Sequence, residues 1–195
     1  MNKQKLMTSW NLKMTKRGLN MDYLFRDLKA EEIDIRIATI NDKGVVLLLF
    51  KDARVDQDIL DETVGPYNWQ RIHTRDNANC IVEIWDGMKE QWISKEDTGV
   101  ESYTQKEKGL ASDSFKRACF NWGIGRELYT APFIWVSNKY CEITKDSKGK
   151  FTTYDKFYVE KIEITNKVIT GLSIKNQDHK RVFVYTKDNK KKGDK

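Results

Sequence analysis

The sequence is poor in the residues on which catalysis and metal binding usually rest. It has only two histidines, His73 and His179. Neither has a cysteine or histidine neighbour at metal-ligand spacing, which argues against a zinc site. Two histidines also leave little material for a nucleophile activated by an imidazole base. The three cysteines, Cys80, Cys119 and Cys141, are odd in number, widely spaced and form no CxxC pair. Neither a zinc knuckle nor a disulfide framework is written here, and three reduced thiols in a cytoplasmic protein are the simplest reading. No GxxxxGK[ST] phosphate loop is present. Gly123-Ile124-Gly125 lacks the third glycine of a dinucleotide fingerprint and follows a helical pattern instead of a strand. No segment approaches the roughly 20 apolar residues of a membrane span. Met1 to Arg17 is basic but has no apolar stretch of the signal-peptide kind. These absences point away from an enzyme, a bound cofactor and a membrane partner.

What is present is a globular composition. Hydrophobic residues make up 39% of the 195, charged residues 33%, and there are six tryptophans. That rules out a disordered chain and fits one domain with a real core. Lys and Arg number 35 against 29 Asp and Glu, a formal charge of +6. This favours a polyanionic partner, although net charge also serves solubility.

The pattern along the chain predicts an α+β fold. Residues 1–20 read as a basic N-terminal arm. Leu24 to Ala30 reads as a short helix. Ile33 to Ile37 alternates apolar and polar, Asn41 to Gly44 is a turn, and Val45 to Phe50 is a continuous apolar run, so a hairpin is expected with its second strand buried on both faces. Val55, Ile59, Leu60 and Val64 have helical spacing, and Gly65-Pro66 stops that helix. Tyr67–His73, Cys80–Trp85 and Trp92–Ser94 read as an antiparallel meander. The longest helix is expected from Thr104, with Thr104 and Glu107 as a capping box, to Trp122, where Gly123-Ile124-Gly125 ends it. A strand follows over Phe133–Val136, then a polar hairpin tip at Lys145–Lys150. Three short strands are expected at 157–164, 168–174 and 181–185. The expected architecture is an antiparallel meander packed on the long helix over 21–140, a β-rich extension of the same domain over 141–186, and a disordered lysine-rich tail over 187–195.

Two surfaces could carry chemistry. Ala111, Phe115, Ala118, Cys119 and Trp122 share one face of the long helix and should pack inward. The opposite face holds Lys106, Asp113, Lys116, Arg117 and Phe120, with Gly109, Ser112 and Ser114 small enough for close approach. Cations for phosphates and a flat ring for bases make a single-strand binding surface. The bland alternative is a solvated charged face with one stray aromatic. In the meander, Tyr67, Trp69, Arg71, His73 and Arg75 alternate and would share one face. There the bland alternative is a core-facing Tyr and Trp with snorkelling arginines. Glu83, Asp86, Glu96 and Asp97 could be forced into a nuclease metal site, but solvated strand edges are the simpler account.

Three segments resemble a known family. Gly65-Pro66-Tyr67-Asn68-Trp69, Glu96-Asp97-Thr98-Gly99, and the run Lys108 to Ala118 occur in the order found in the Rad-fifty-two/Rad-twenty-two single-strand annealing proteins. Asn121 to Tyr129 resembles the phage branch. The resemblance covers roughly residues 22 to 135 and is strongest from Asp52 to Trp135. It implies an oligomeric ring that binds single-stranded DNA and anneals complementary strands without ATP, in phage or prophage recombination and repair. The setting would be a bacterial host cytoplasm, with a phage exonuclease or a host single-strand-binding protein as a further partner. Lys116 and Arg117 match the family's inner DNA site, and Lys108 an earlier basic position. Asp113 matches an acidic position that holds the basic groups, Arg54 a DNA-contacting arginine, and Tyr67 the aromatic after the glycine. Lys89 is a candidate for an outer site. Phe120 departs from the pattern, since animal members carry a basic residue there. Two rivals stand beside this expectation: a single-strand DNA or RNA protection module that does not anneal, and a metal-dependent nuclease.

Overall fold

The computed structural model describes residues 25–100 and 106–187, with side chains in the second stretch from Gly109 onward. The arm over 1–20, the capping box at Thr104 and the tail over 188–195 lie outside the described residues. Within them the fold is mixed α+β, with two α-helices and antiparallel sheets.

Strands β1 (Asp34–Asn41) and β2 (Gly44–Phe50) form the expected hairpin. Strand β6 (Ile134–Ser137) pairs with the other edge of β2. Helix α1 (Ala53–Val64) starts on Asp52, whose side chain accepts the Arg54 N–H, and stops at Gly65, where φ is 88°. Such a positive φ is cheap only for glycine. Strands β3 (Trp69–Thr74), β4 (Asn79–Asp86) and β5 (Gln91–Thr98) form a three-stranded meander. Helix α2 (Lys106–Trp122) follows, then a 3-10 turn over Arg126–Thr130. The short strands β7 (Thr144–Lys145) and β8 (Phe151–Thr152) flank the predicted hairpin tip. Strands β9 (Phe157–Thr165), β10 (Val168–Asn176) and β11 (Arg181–Thr186) make the last sheet, with β10 central. Ile169, Leu172 and Ile174 of β10 join one hydrophobic cluster with Val45, Ile59, Phe115 and Ile134.

Four expectations need correction. Residues 25–29 are not helical, and only a 3-10 turn forms over Ala30–Glu32. Tertiary partners take their backbone groups: the Leu28 N–H donates to the buried Glu127 carboxylate, and the Lys167 ammonium donates to the carbonyls of Phe25 and Arg26. Strand β2 is not buried on both faces. Val45, Leu47 and Leu49 face the core, whereas Leu48 is 42% exposed and Val46 and Phe50 are half-buried. Strand β5 runs to Thr98 despite its polar sequence, because it pairs along the whole of β4 with one side open to solvent. The alternation proposed from Tyr67 to Arg75 holds only for Trp69, Arg71 and His73. Tyr67 sits in the preceding turn, and Arg75 leaves the strand with a φ of 52°.

Candidate nucleic-acid interface

Helix α2 buries Phe115, Ala118 and Cys119 of the expected inward face, leaves Ala111 and Trp122 half-buried, and adds Leu110 and Ser114. Ser114, expected on the approachable face, is instead fully buried and donates to the Asn77 carbonyl at 2.9 Å. Toward β3–β5 its contacts are cation–aromatic and hydrogen-bonded. The Phe115 ring stacks on Trp69 at 6.1 Å, and the Arg71 guanidinium lies 4.9 Å from its centroid. The Trp122 indole N–H donates to the Val82 carbonyl at 3.1 Å. The Lys95 ammonium sits 4.4 Å from the Trp122 ring and donates to the Asn121 carbonyl at 2.9 Å. Burial holds its pKa below the ordinary lysine value, with Arg126 adding to the effect. Arg117 donates to Asp97 at 3.2 Å, and the same carboxylate accepts from the Asn121 amide at 3.2 Å. At Gly99 the chain crosses so close to α2 that a Cβ would come within 2.6 Å of the Ser114 nitrogen.

The other flank of α2 borders an open groove of about 1060 Å³. One wall is the uncovered face of β1 and β2, with Arg36, Val46, Leu48 and Phe50. Arg36 lies directly opposite Leu48 in the sheet register, and Phe133, one residue ahead of the Leu47–Ile134 pair, extends that row. The other wall is α2, with Gly109, Ser112, Asp113, Lys116, Arg117 and Phe120. Gly125, Tyr129, Pro132 and Phe133 also line the groove. Among the described residues Lys116 has no hydrogen bond or ion pair. Phe120 and Tyr129 meet at 4.7 Å between ring centroids. The Arg126 guanidinium lies 5.5 Å from the Phe120 ring and donates to the carbonyls of Phe120 and Asn121 at 2.8 and 2.9 Å. Tyr129 and Phe133 are each 73% exposed.

A buried ion pair underlies the groove. The Lys51 ammonium donates to the Asp56 carboxylate, and both side chains are almost wholly removed from solvent. Burial pushes the Asp56 carboxyl up to about 6, against the opposing pull of Lys51 and Lys116. Gly125 covers this pair. Its φ is 71°, and a Cβ there would overlap the Lys51 stem. Burial, aided by Asp56, raises the Cys119 thiol well above its ordinary value. All three cysteines are free and buried.

The structure therefore brings together Lys116, Arg117, Phe120 and Asp113 of the residues expected from sequence. Lys106 and Lys108 lie on the first turn of α2, and their side chains fall outside the described set. Trp69 is committed to Phe115 and donates to Asp61 at 2.6 Å. Arg54 is exposed and paired with its own cap, Asp52, at 2.8 Å. Tyr67 stands 93% exposed in the turn after α1, and Lys89 is exposed at the β4–β5 hairpin, 3.8 Å from Asp86. None of these last three lines the groove. Asp113 accepts the Val100 N–H at 2.9 Å, and it is Asp97 that holds Arg117.

Sequence reasoning missed Arg36, Leu48, Tyr129 and Phe133. Arg36, Leu48 and Phe133 share one signal, an apolar or cationic residue on the outward parity of a strand or just outside one, whereas Tyr129 lies in the 3-10 turn and carries no such signal. The carboxylates weighed for a nuclease have other occupations. Glu83 accepts from Gln70 and Ser94, Glu96 accepts from Asn79, and Asp86 accepts the Met88 and Lys89 N–H groups. Among the described residues no three His, Cys, Asp or Glu are grouped to hold a metal, and no helix is long and apolar enough to cross a membrane. No protein-family model, curated protein or solved structure matches this chain.

Proposed function

We propose that the chain binds single-stranded DNA in the groove between α2 and β2 and anneals complementary strands without ATP, as a homo-oligomeric ring. The observation that carries this reading is the meeting, in one open groove, of the cations Arg36 and Lys116 with exposed aromatic side chains. Phosphates need cations and bases need flat apolar surface, and a single strand presents both. The long helix against the meander would be the annealing core, and the resemblance of its sequence to the phage annealing proteins supports the same assignment. Neutralising the phosphates of one strand removes the repulsion of a second, and base pairing then drives annealing. A phage exonuclease or a host single-strand-binding protein in the bacterial cytoplasm would supply or hand over the strands.

The test is annealing of two labelled complementary oligonucleotides, without nucleotide and with a chelator, alongside mass photometry of the protein with and without DNA. We expect acceleration over the spontaneous rate and a ring-sized mass. Tight binding without acceleration would leave a protection module in place of an annealing protein. Strand cleavage that requires magnesium or manganese would replace both with a nuclease.

A further inference from the structure

Three aromatic side chains that line the groove, Phe120, Tyr129 and Phe133, lie outside the hydrophobic cluster of the core. Tyr129 and Phe133 are each 73% exposed, and both stand on anchored backbone. The Thr130 hydroxyl donates to the Glu127 carbonyl at 2.7 Å and accepts the Ile169 N–H at 2.8 Å. Glu127 itself is fully buried and accepts the Leu28 N–H. Phe120 is fixed from behind by Arg126, which clamps its carbonyl and lies over its ring. Exposed apolar surface rimmed by charge marks a contact site, and rings held on a rigid frame lose little freedom when something stacks on them.

We propose that Phe120, Tyr129 and Phe133 form a base-stacking shelf, on which the groove grips nucleobases by their faces while Lys116 and Arg36 take the flanking phosphates. This rests on the single-strand reading of the groove and adds to it a second, uncharged mode of grip. The occupant is a nucleic acid because the groove's charged lining is mostly cationic: Arg36 and Lys116 face one acidic side chain, Asp113, while Lys51 is neutralised by Asp56 and Arg117 is paired with Asp97. Stacking is indifferent to base identity because every base has a π-face, so the shelf suits a protein that must hold any sequence. A strand held there has some of its bases turned into the groove and kept from pairing until they leave.

The experiment uses the full chain and two oligonucleotides of equal length, one normal and one with abasic sites, each titrated over a range of salt. The variants are Tyr129→Ala/Phe133→Ala and Lys116→Ala. The shelf predicts that the aromatic double variant binds the normal strand at least about tenfold more weakly. Its salt slope should be unchanged, because stacking releases no counterions. It also predicts that parent and aromatic variant bind the abasic strand alike. A 2-aminopurine base in the normal strand should be quenched by the parent and less so by the variant. If the aromatic variant binds the normal strand like the parent while Lys116→Ala binds weakly, the shelf is wrong and the groove stands. If neither variant loses affinity, the groove reading itself fails. If the aromatic variant falls to smaller species in mass photometry yet keeps its affinity per chain, the three rings are a subunit interface, and the shelf is overturned.

Discussion

The two flanks of helix α2 use the same kinds of side chain to opposite ends. Toward the meander, cations and rings are spent on one another: Arg71 on Phe115, Lys95 on Trp122, Arg117 on Asp97. Toward β2, Lys116 has no partner among the described residues, and Tyr129 and Phe133 stand in solvent. A cation beside an aromatic is therefore not a binding signal in itself. What separates structure from function here is whether the fold has already satisfied the pair. The first flank should answer to mutation in stability, and the second in binding.

The largest effect should come from the satisfied flank. Phe115 is fully buried between Trp69 and Arg71. Phe115→Ala should destabilise the fold by about 3–5 kcal/mol. Phe133→Ala, in the groove, should shift stability by less than about 0.5 kcal/mol. Equal losses in denaturant unfolding of the two variants would mean that the groove aromatics hold the fold as the buried ones do.

The buried pair beneath the groove should respond strongly as well. Asp56→Ala leaves the Lys51 ammonium buried without a partner and should cost about 3–5 kcal/mol. Replacing both residues, Lys51→Met with Asp56→Leu, should be neutral or stabilising by up to about 4 kcal/mol, because no charge then has to be desolvated. A double variant as unstable as Asp56→Ala would mean that the pair holds the fold through more than mutual compensation.

The same pair sets a smaller pH effect. Burial raises the folded Asp56 carboxyl to about 6, above its unfolded value. Between those two values the folded chain holds a proton that the unfolded chain has shed. The site's contribution to stability is therefore complete at low pH and falls as the pH rises through about 6, by at most about 1.4 kcal/mol per pH unit. Subtracting the stability profile of Asp56→Asn from that of the parent should leave this downward slope between about pH 4 and 6. A flat difference would contradict it.

Much of the fold is legible in the sequence because its signals are local. The alternation before Asn41, the Gly65 stop, the meander turns and the helical spacing from Ala111 to Trp122 each need only neighbours in the chain. The segment at 25–29 is not legible. Its backbone is satisfied by Glu127 and Lys167, about a hundred residues or more away. Half the groove is hidden for a related reason. Val45 to Phe50 is apolar at every position, so nothing in the run says that one side of it is left uncovered. Phe120 is legible as an aromatic on a charged face. Tyr129 and Phe133 become part of the same surface only when the 3-10 turn and β6 fold back beside β2.

In the proposed complex the groove flank of α2, and not the meander flank, meets the phosphates. The salt dependence of single-stranded DNA affinity for Arg36→Ala/Lys116→Ala, measured beside Lys95→Ala, separates the two flanks. The groove double variant should bind more weakly, with a salt slope lower by about 0.7 for each phosphate that is no longer neutralised. Folded Lys95→Ala should keep the parental slope. A groove double variant that stays folded and assembled yet keeps the parent's affinity and slope would place the DNA path elsewhere on the molecule.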